Sequence, residues 1–500
     1  MTAASEPINS AQMKIFSRIL LPALLVQLMV PAFTSKAATD TDWERSVVSV
    51  EVTRKTYDYI QPWVRDTSTT VKAGTYLGDN LFLTTANNLN DVALIRLQKN
   101  GRGRWHHGEL KWIDYHANLA LVSAKAEDFL EGLKATPIVG EFDEKAKLHS
   151  VNWRSGRTEK REATFDNWTV ETGQISYIAT LYLQVNSDAS SLVEASPMFS
   201  EKGLVGLGVT KSGETATLIP GFFLKRSIEA WKKGNYPGLG FFDFTWTPAR
   251  NPSILDFLKL EGESRGVLVI KVPKIPGVES PIKVRDLILE VDGKAIDNEG
   301  DYVDPKFGQI SLENLSTYGK WAGDIVKIKL LRKGKVMMVD YKIPNARFDF
   351  DLVPDEIHDQ EPEYLLVAGL VFQPLTETFL SRWGSSWERR APFRLVHYNG
   401  NDPTEERPGL IVLSVVLPHP INLTYEGYRY QVVDKVNGKS IASLKDLKTA
   451  LENPQEGFHV VEFMKGSSQR RLVLNAAETK EATQQVMETY AIAWDHVLND

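Results

Sequence analysis

Asp286-Leu287-Ile288-Leu289-Glu290-Val291-Asp292-Gly293-Lys294 reads as a strand running into a tight turn. Apolar residues fill the run, and Asp-Gly after such a run is a strong hairpin signal. The same order returns as Val432-Val433-Asp434-Lys435-Val436-Asn437-Gly438-Lys439. An apolar strand precedes each copy: Gly266-Val267-Leu268-Val269-Ile270 and Gly409-Leu410-Ile411-Val412-Leu413. In the first unit a strand at 326–331 and the turn Arg332-Lys333-Gly334-Lys335 follow. In the second a helix at 443–451 and a strand near 460–463 follow. Two copies of one order point to two related β units of roughly a hundred residues each. The acidic stretch 349–363, with two prolines, reads as the connection between them, and 477–498 reads as a helix apolar on one face.

Upstream, between 45 and 228, short apolar runs alternate with turn residues at 46–52, 74–85, 92–97, 119–123, 175–184 and 203–210. Several short strands at regular spacing argue for an all-β barrel or sandwich. A short helix with a glycine stop is expected at 225–234.

The chain has 500 residues, 42% apolar and 24% charged, enough for about three domains with ordinary buried cores. Its formal net charge of -6 offers no domain-sized basic field, so nucleic acid is a poor partner. There is no cysteine, which excludes disulfides and thiolate metal sites and is compatible with an oxidising compartment.

The N-terminus resembles a secretory leader. Lys14 and Arg18 precede an apolar run at 19–33, interrupted by Pro22, Gln27 and Pro31, and Ser35-Lys36-Ala37 supplies a small-residue cleavage site. Met13 could serve as the start, because 13–37 alone has the complete order. The competing reading is an uncleaved anchor, for which the run is short. Cleavage is favoured, giving an exported, periplasmic or secreted chain that begins near Ala38.

The paired units resemble PDZ domains, which add an extended peptide to a sheet edge. Their carboxylate loop commonly reads Gly-Leu-Gly-Phe. Here Gly238-Leu239-Gly240-Phe241 opens the first unit, and Gly369-Leu370-Val371-Phe372 opens the second without the second glycine. A β domain followed by two such units resembles the HtrA/Deg serine proteases. Its motifs match in order. Ala73-Gly74-Thr75 stands for the family's Gly-Ser-Gly, and Leu83-Thr84-Thr85-Ala86-Asn87 stands for Leu-Thr-Asn-Ala-His. Asn118-Leu119-Ala120-Leu121-Val122 stands for Asp-Leu-Ala-Leu-Leu. Counting from Gln184 places Leu192-Val193-Glu194-Ala195-Ser196-Pro197 at the nucleophile motif, before Gly203-Leu204-Val205-Gly206-Leu207. Gln373-Pro374-Leu375-Thr376 and the stretch to Asn437-Gly438 resemble the plant and fungal branch.

The resemblance implies a mainly β fold: a chymotrypsin-like double barrel followed by two PDZ domains, β-sandwiches with helices. It divides the chain into a signal peptide (1–37), a trypsin-like domain (44–235) and a first PDZ domain (236–347). A linker (348–364), a second PDZ domain (365–475) and a C-terminal helix (476–500) complete it.

The triad positions then hold Asn87, Asn118 and Glu194, and none can do its task. An amide at Asn87 is no general base near neutrality. Asn118 has no charge with which to steady an imidazolium. Glu194 is a poor nucleophile whose charge opposes a developing oxyanion. The oxyanion loop is degenerate too: Leu192 and Val193 replace residues free to take glycine-like angles, and Ala195 and Ser196 replace a glycine pair. His116 and Ser196 could form a shifted dyad. Against that stands a solvent-facing hairpin histidine and a turn serine before proline. His106 and His107, with Trp105, Arg102 and Arg104, read as a solvated hairpin end lacking a third metal ligand.

The expectation is an exported pseudoprotease, with no cofactor or metal, binding unfolded proteins or peptide C-termini through its PDZ units. The family resemblance implies a trimer-based homo-oligomer. The alternatives are a regulatory subunit of an active HtrA paralogue and an endopeptidase with an unorthodox site.

Overall fold

The computed structural model describes residues 42–187, 194–274, 279–465 and 470–499. The expected leader at 1–37 and the oxyanion positions Leu192 and Val193 lie outside them.

Two closed six-stranded antiparallel barrels come first. Around the first run Val47–Tyr57, Arg65–Gly78, Leu81–Thr84, Leu119–Ala124, His106–Asp114 and Val92–Gln98. Around the second run Pro197–Ser200, Gly203–Ser212, Thr215–Pro220, Ala179–Ser187, Arg157–Thr172 and Leu148–Arg154. Alternation along each strand sends one set of side chains inward. Val50, Val52, Phe82 and Leu97 fill the first barrel, and Leu148, Leu183, Val185 and Met198 fill the second. A third cluster seals the barrels together: Leu83, Leu119 and Leu121 meet Val151, Phe199 and Leu204. The helix Gly221–Lys232 packs on this seam through Phe223, Leu224 and Ile228, and begins earlier than the sequence indicates. Residues 175–178 lie ahead of the strand expected there, which starts at Ala179.

The first repeat unit builds a sheet in the order Thr245–Pro248, Val267–Lys271, Leu287–Val291, Ile325–Arg332 and Lys335–Lys342. Asp292 (φ 46°) and Gly293 (φ 76°), like Asn437 (φ 48°) and Gly438 (φ 79°), take the paired positive φ of a type I′ turn. The repeated signal in the sequence is therefore a repeated turn.

In the second unit the central strands are Gln431–Val436, Ile411–Val416 and Leu370–Pro374, continued by Tyr364–Val367 and closed by His496–Val497. Two expectations need correction here. The stretch 348–364 is more than a linker, because Leu352 and Val353 are buried with Phe379 and Leu380 in the second unit's own core. The C-terminal helix spans Ala476–Thr489 and does not reach 498. Ile492 satisfies the apolar pattern by packing with Tyr364 and Val486 from a non-helical segment, and the last strand then pairs with Tyr364–Val367.

The turn before Leu370 is held by Asn422, whose fully buried amide donates to Ala368 O (2.7 Å) and Leu417 O (2.9 Å). Its Oδ1 accepts from His419 N at 3.0 Å. Asn422→Ala leaves two buried carbonyls without donors and should cost about 2–3 kcal/mol in urea unfolding. A loss within about 0.5 kcal/mol, the ordinary range for surface changes, would contradict that role for the amide.

Candidate functional site

Lys72 stands on the Arg65–Gly78 strand with its side chain wholly enclosed at the barrel interface. Its Nζ donates to Thr85 O (2.8 Å), Thr85 Oγ1 (3.1 Å) and Asn87 O, and lies 3.5 Å from Glu194 Oε1. Burial lowers the Lys72 ammonium to about 8, against the opposing pull of Glu194. Glu194 reaches across from the second barrel. Its Oε1 accepts the Thr85 hydroxyl at 2.8 Å, its Oε2 accepts Asn88 Nδ2 at 3.1 Å, and its carbonyl accepts Ala73 N at 3.1 Å.

Asn87 N donates to Asn118 Oδ1 at 2.8 Å. Asn118 takes a left-handed φ of 51°, which asparagine tolerates better than most residues. The three singled-out positions, Asn87, Asn118 and Glu194, are therefore brought together in one network. Lys72 is the member that sequence reasoning missed. The signal was present: a lone lysine on an inward-facing strand, with a glutamate at the expected nucleophile position.

The Thr85 hydroxyl beside a lysine of lowered pKa has the makings of a hydroxyl–amine dyad. Thr85 is fully buried, however, and its proton is directed at Glu194.

His116 and Ser196 are not brought together. His116 Nδ1 meets Ser176 Oγ at 3.1 Å, and its ring stacks on Phe348 with centroids 3.9 Å apart and planes 10° apart. The expected solvent-facing histidine is thus half-buried. Burial, with His358 nearby, lowers it to about 4, so it is neutral at pH 7. The expected turn serine, Ser196, is fully buried and donates to Asn152 Oδ1 at 3.0 Å. At the other hairpin, Arg96 lies over Trp105 and the His106 ring packs 5.0 Å from Phe129.

The segment after Ala346 roofs this cleft. The His358 ring packs on Tyr115 with centroids 4.0 Å apart. Asp359 accepts the Tyr115 hydroxyl (2.5 Å) and Asp91 N (2.7 Å). Glu361 pairs with Arg65 (2.5 Å) and Lys55 (3.3 Å). Beneath the roof a pocket of about 190 Å³ remains, lined by Asn87, Asn88, Asn90, Arg54, Glu356 and His358 among others.

The two glycine-bearing loops differ. Gly238 has a positive φ of 87°, and Gly240 abuts the chain just past Lys335–Lys342 so closely that a Cβ would lie 2.1 Å from Ile343 Cγ2. Packing therefore demands that glycine independently of any ligand. Leu239 is buried at the seam, and its carbonyl accepts Ala346 N at 3.0 Å. Phe241 then borders a groove of about 630 Å³. At the second loop Gly369 has φ 84°, but Leu370, Val371 and Phe372 are paired on both sides, to Tyr364–Val367 and to Ile411–Val416. Peptide addition beside this strand would require displacing the chain's own Tyr364–Val367.

Residues 353–497 match the PDZ domain model. Protease Do-like 2, chloroplastic, of Arabidopsis thaliana is 25% identical over 449 residues, covering 85% of this chain and 70% of that protein. Putative protease Do-like 13 of the same plant is 22% identical, covering 90% and 88%. Over most of its length the chain is similar to HtrA/Deg protease homologues. A solved structure, HtrA-type protease AlgW with decapeptide, overlaps 61% of this chain and 96% of its own, at 12% identity and a TM-score of 0.46.

In this chain Lys72→Met should cost about 3 kcal/mol at pH 7, because it leaves a carboxylate and two carbonyls without their cation. Adding Glu194→Gln should cost less than the sum of the single changes, and strict additivity would contradict the coupling. The pH dependence has a definite sign. Between about 8 and 10.5 the unfolded chain holds a proton on Lys72 that the folded chain has released. Wild-type stability should therefore rise with pH across that window relative to Lys72→Met.

Proposed function

We propose that this HtrA/Deg relative is a pseudoprotease that binds extended or unfolded chains without hydrolysing them. The observation that carries the proposal is the ion pair of Lys72 and Glu194, with Asn87 and Asn118 beside it, at the positions aligned with the family's triad. A serine triad needs a base, an orienting carboxylate and a hydroxyl in line. This network offers an amide, an amide and a carboxylate already committed to an ammonium. The chain segment over the cleft further restricts access for a substrate backbone. Binding is assigned to the first unit, where among the described residues the strand at Thr245–Pro248 is paired on one side only. The loop of the second unit is proposed to be self-filled by Tyr364–Val367.

The N-terminal segment is proposed to be a removable leader, with the mature chain starting near Ala38. Among the described residues no helix is long and apolar enough to cross a membrane. Relatives carry chloroplastic and mitochondrial names, so the destination of such a leader is a separate question from its removal. N-terminal sequencing of the expressed protein should begin near Ala38, and a blocked or intact Met1 would refute cleavage.

The test of function is incubation of the purified protein with unfolded β-casein, following both cleavage and complex formation. Stable complex without cleavage is expected. Cleavage that survives Glu194→Ala but is lost with Ser196→Ala or His116→Ala would overturn the proposal and relocate the site.

A further inference from the structure

The groove beside Thr245–Pro248 has an unusual electrostatic lining. Five carboxylates border it: Glu171 from the second barrel, Asp243 and Glu313 from the first unit, and Asp351 and Asp355 from the chain that follows. One ammonium, Lys271, also borders it, but that group donates to Gly400 O at 2.6 Å and lies 3.6 Å from Asp402. Three of the carboxylates are satisfied by neutral donors. Asp243 accepts the Tyr341 hydroxyl at 2.7 Å, and Glu313 accepts the Trp246 indole at 2.6 Å. Glu171 accepts from Thr169 and Gln184. Among the described residues, no lysine or arginine forms an ion pair with any of the five, and no hydrogen bond reaches the side chains of Asp351 or Asp355. Burial, with Glu377 and Asp351 nearby, pushes Asp355 up to about 7, and burial raises Asp351 against the opposing pull of Lys271.

Beneath the carboxylates lies an apolar floor. Tyr177, Phe241 and Phe350 pack on one another with centroids 5.2–6.1 Å apart. Alongside runs the edge of Thr245–Pro248, which among the described residues has a partner strand on one side only. Groove, floor and open edge suit an extended chain. The charge decides which chain. A C-terminal carboxylate entering here adds negative charge beside five carboxyl groups, whereas a lysine or arginine adds counter-charge that Lys271 alone supplies so far.

We propose that this groove takes internal, lysine- or arginine-bearing extended segments and disfavours free C-terminal carboxylates. The proposal rests on the reading of the first unit as a peptide-binding module and adds its ligand class. An apolar residue of the segment covers the aromatic floor, and the adjacent cationic residue reaches Asp351 and Asp355.

Fluorescence anisotropy with the full chain tests this. One probe is an amidated peptide of ten residues alternating valine and lysine. The other is a valine–serine peptide of equal length with a free carboxylate. The basic probe should bind about ten-fold tighter, and its affinity should fall at least about ten-fold between 50 and 300 mM salt. Asp351→Asn combined with Asp355→Asn should remove most of that preference, with an unchanged circular dichroism spectrum reporting the fold. Equal or tighter binding of the carboxylate-terminated probe would overturn the proposal while leaving peptide binding intact. A preference unchanged by salt and by the double substitution would do the same. If neither probe binds but β-casein does, the groove assignment is wrong and the binding function stands elsewhere. If β-casein also fails to bind, both proposals fall.

Discussion

Everything at the barrel interface is organised around one buried cation. Lys72 has no exposure, and an ammonium cannot be left there without acceptors, because the desolvation cost would be several kcal/mol. The acceptors come from three places: the Thr85 and Asn87 carbonyls, the Thr85 hydroxyl and the Glu194 carboxylate. Meeting that demand fixes the loop after Leu81–Thr84 and ties the second barrel to the first. Asn118 completes the loop by accepting Asn87 N. The residues at the positions where the family's resemblance expects chemistry are consumed in supporting a charge.

The connecting segment also covers the cleft between the barrels. Phe348, His358, Asp359 and Glu361 lie across it, held by ring contacts with His116 and Tyr115 and by ion pairs with Lys55 and Arg65. The exposed pairs contribute little individually. Their value is positional: they keep the connecting segment on the barrel, and so bring Asp351 and Asp355 to the groove of the first unit. The second unit is closed differently, by Tyr364–Val367 between Leu370–Pro374 and the terminal His496–Val497. One sheet edge is thus filled from within the chain while another stays open.

Much of the fold was legible in the sequence. Asp292-Gly293 and Asn437-Gly438 demanded positive φ twice in succession, and the structure uses both as hairpin turns. Short apolar runs located about half of the barrel strands, while His106–Asp114, Leu148–Arg154, Arg157–Thr172 and Thr215–Pro220 went unread. Where legibility failed, long-range packing was the cause. Leu352 and Val353 looked like residues of an acidic linker because their core partners, Phe379 and Leu380, lie far along the chain. Ile492 mimicked a helical face while packing from irregular chain. Of the site, Asn87, Asn118 and Glu194 were found from local motifs. Lys72 was not, because an inward-facing lysine gains its meaning only from Glu194, which lies far along the chain. Gly240 shows the converse: a glycine that fits a loop motif is required by contact with Ile343.

Intact-mass spectrometry after prolonged exposure to a fluorophosphonate probe tests the central claim most directly. Such a probe phosphonylates an activated hydroxyl and needs no knowledge of the natural substrate. With the cleft occupied by an ion pair, and the amide of Asn87 where the resemblance expects the base, the protein should remain at its unmodified mass. Stoichiometric modification, mapped to Ser176, Ser196 or Thr85, would show an activated hydroxyl and contradict the account.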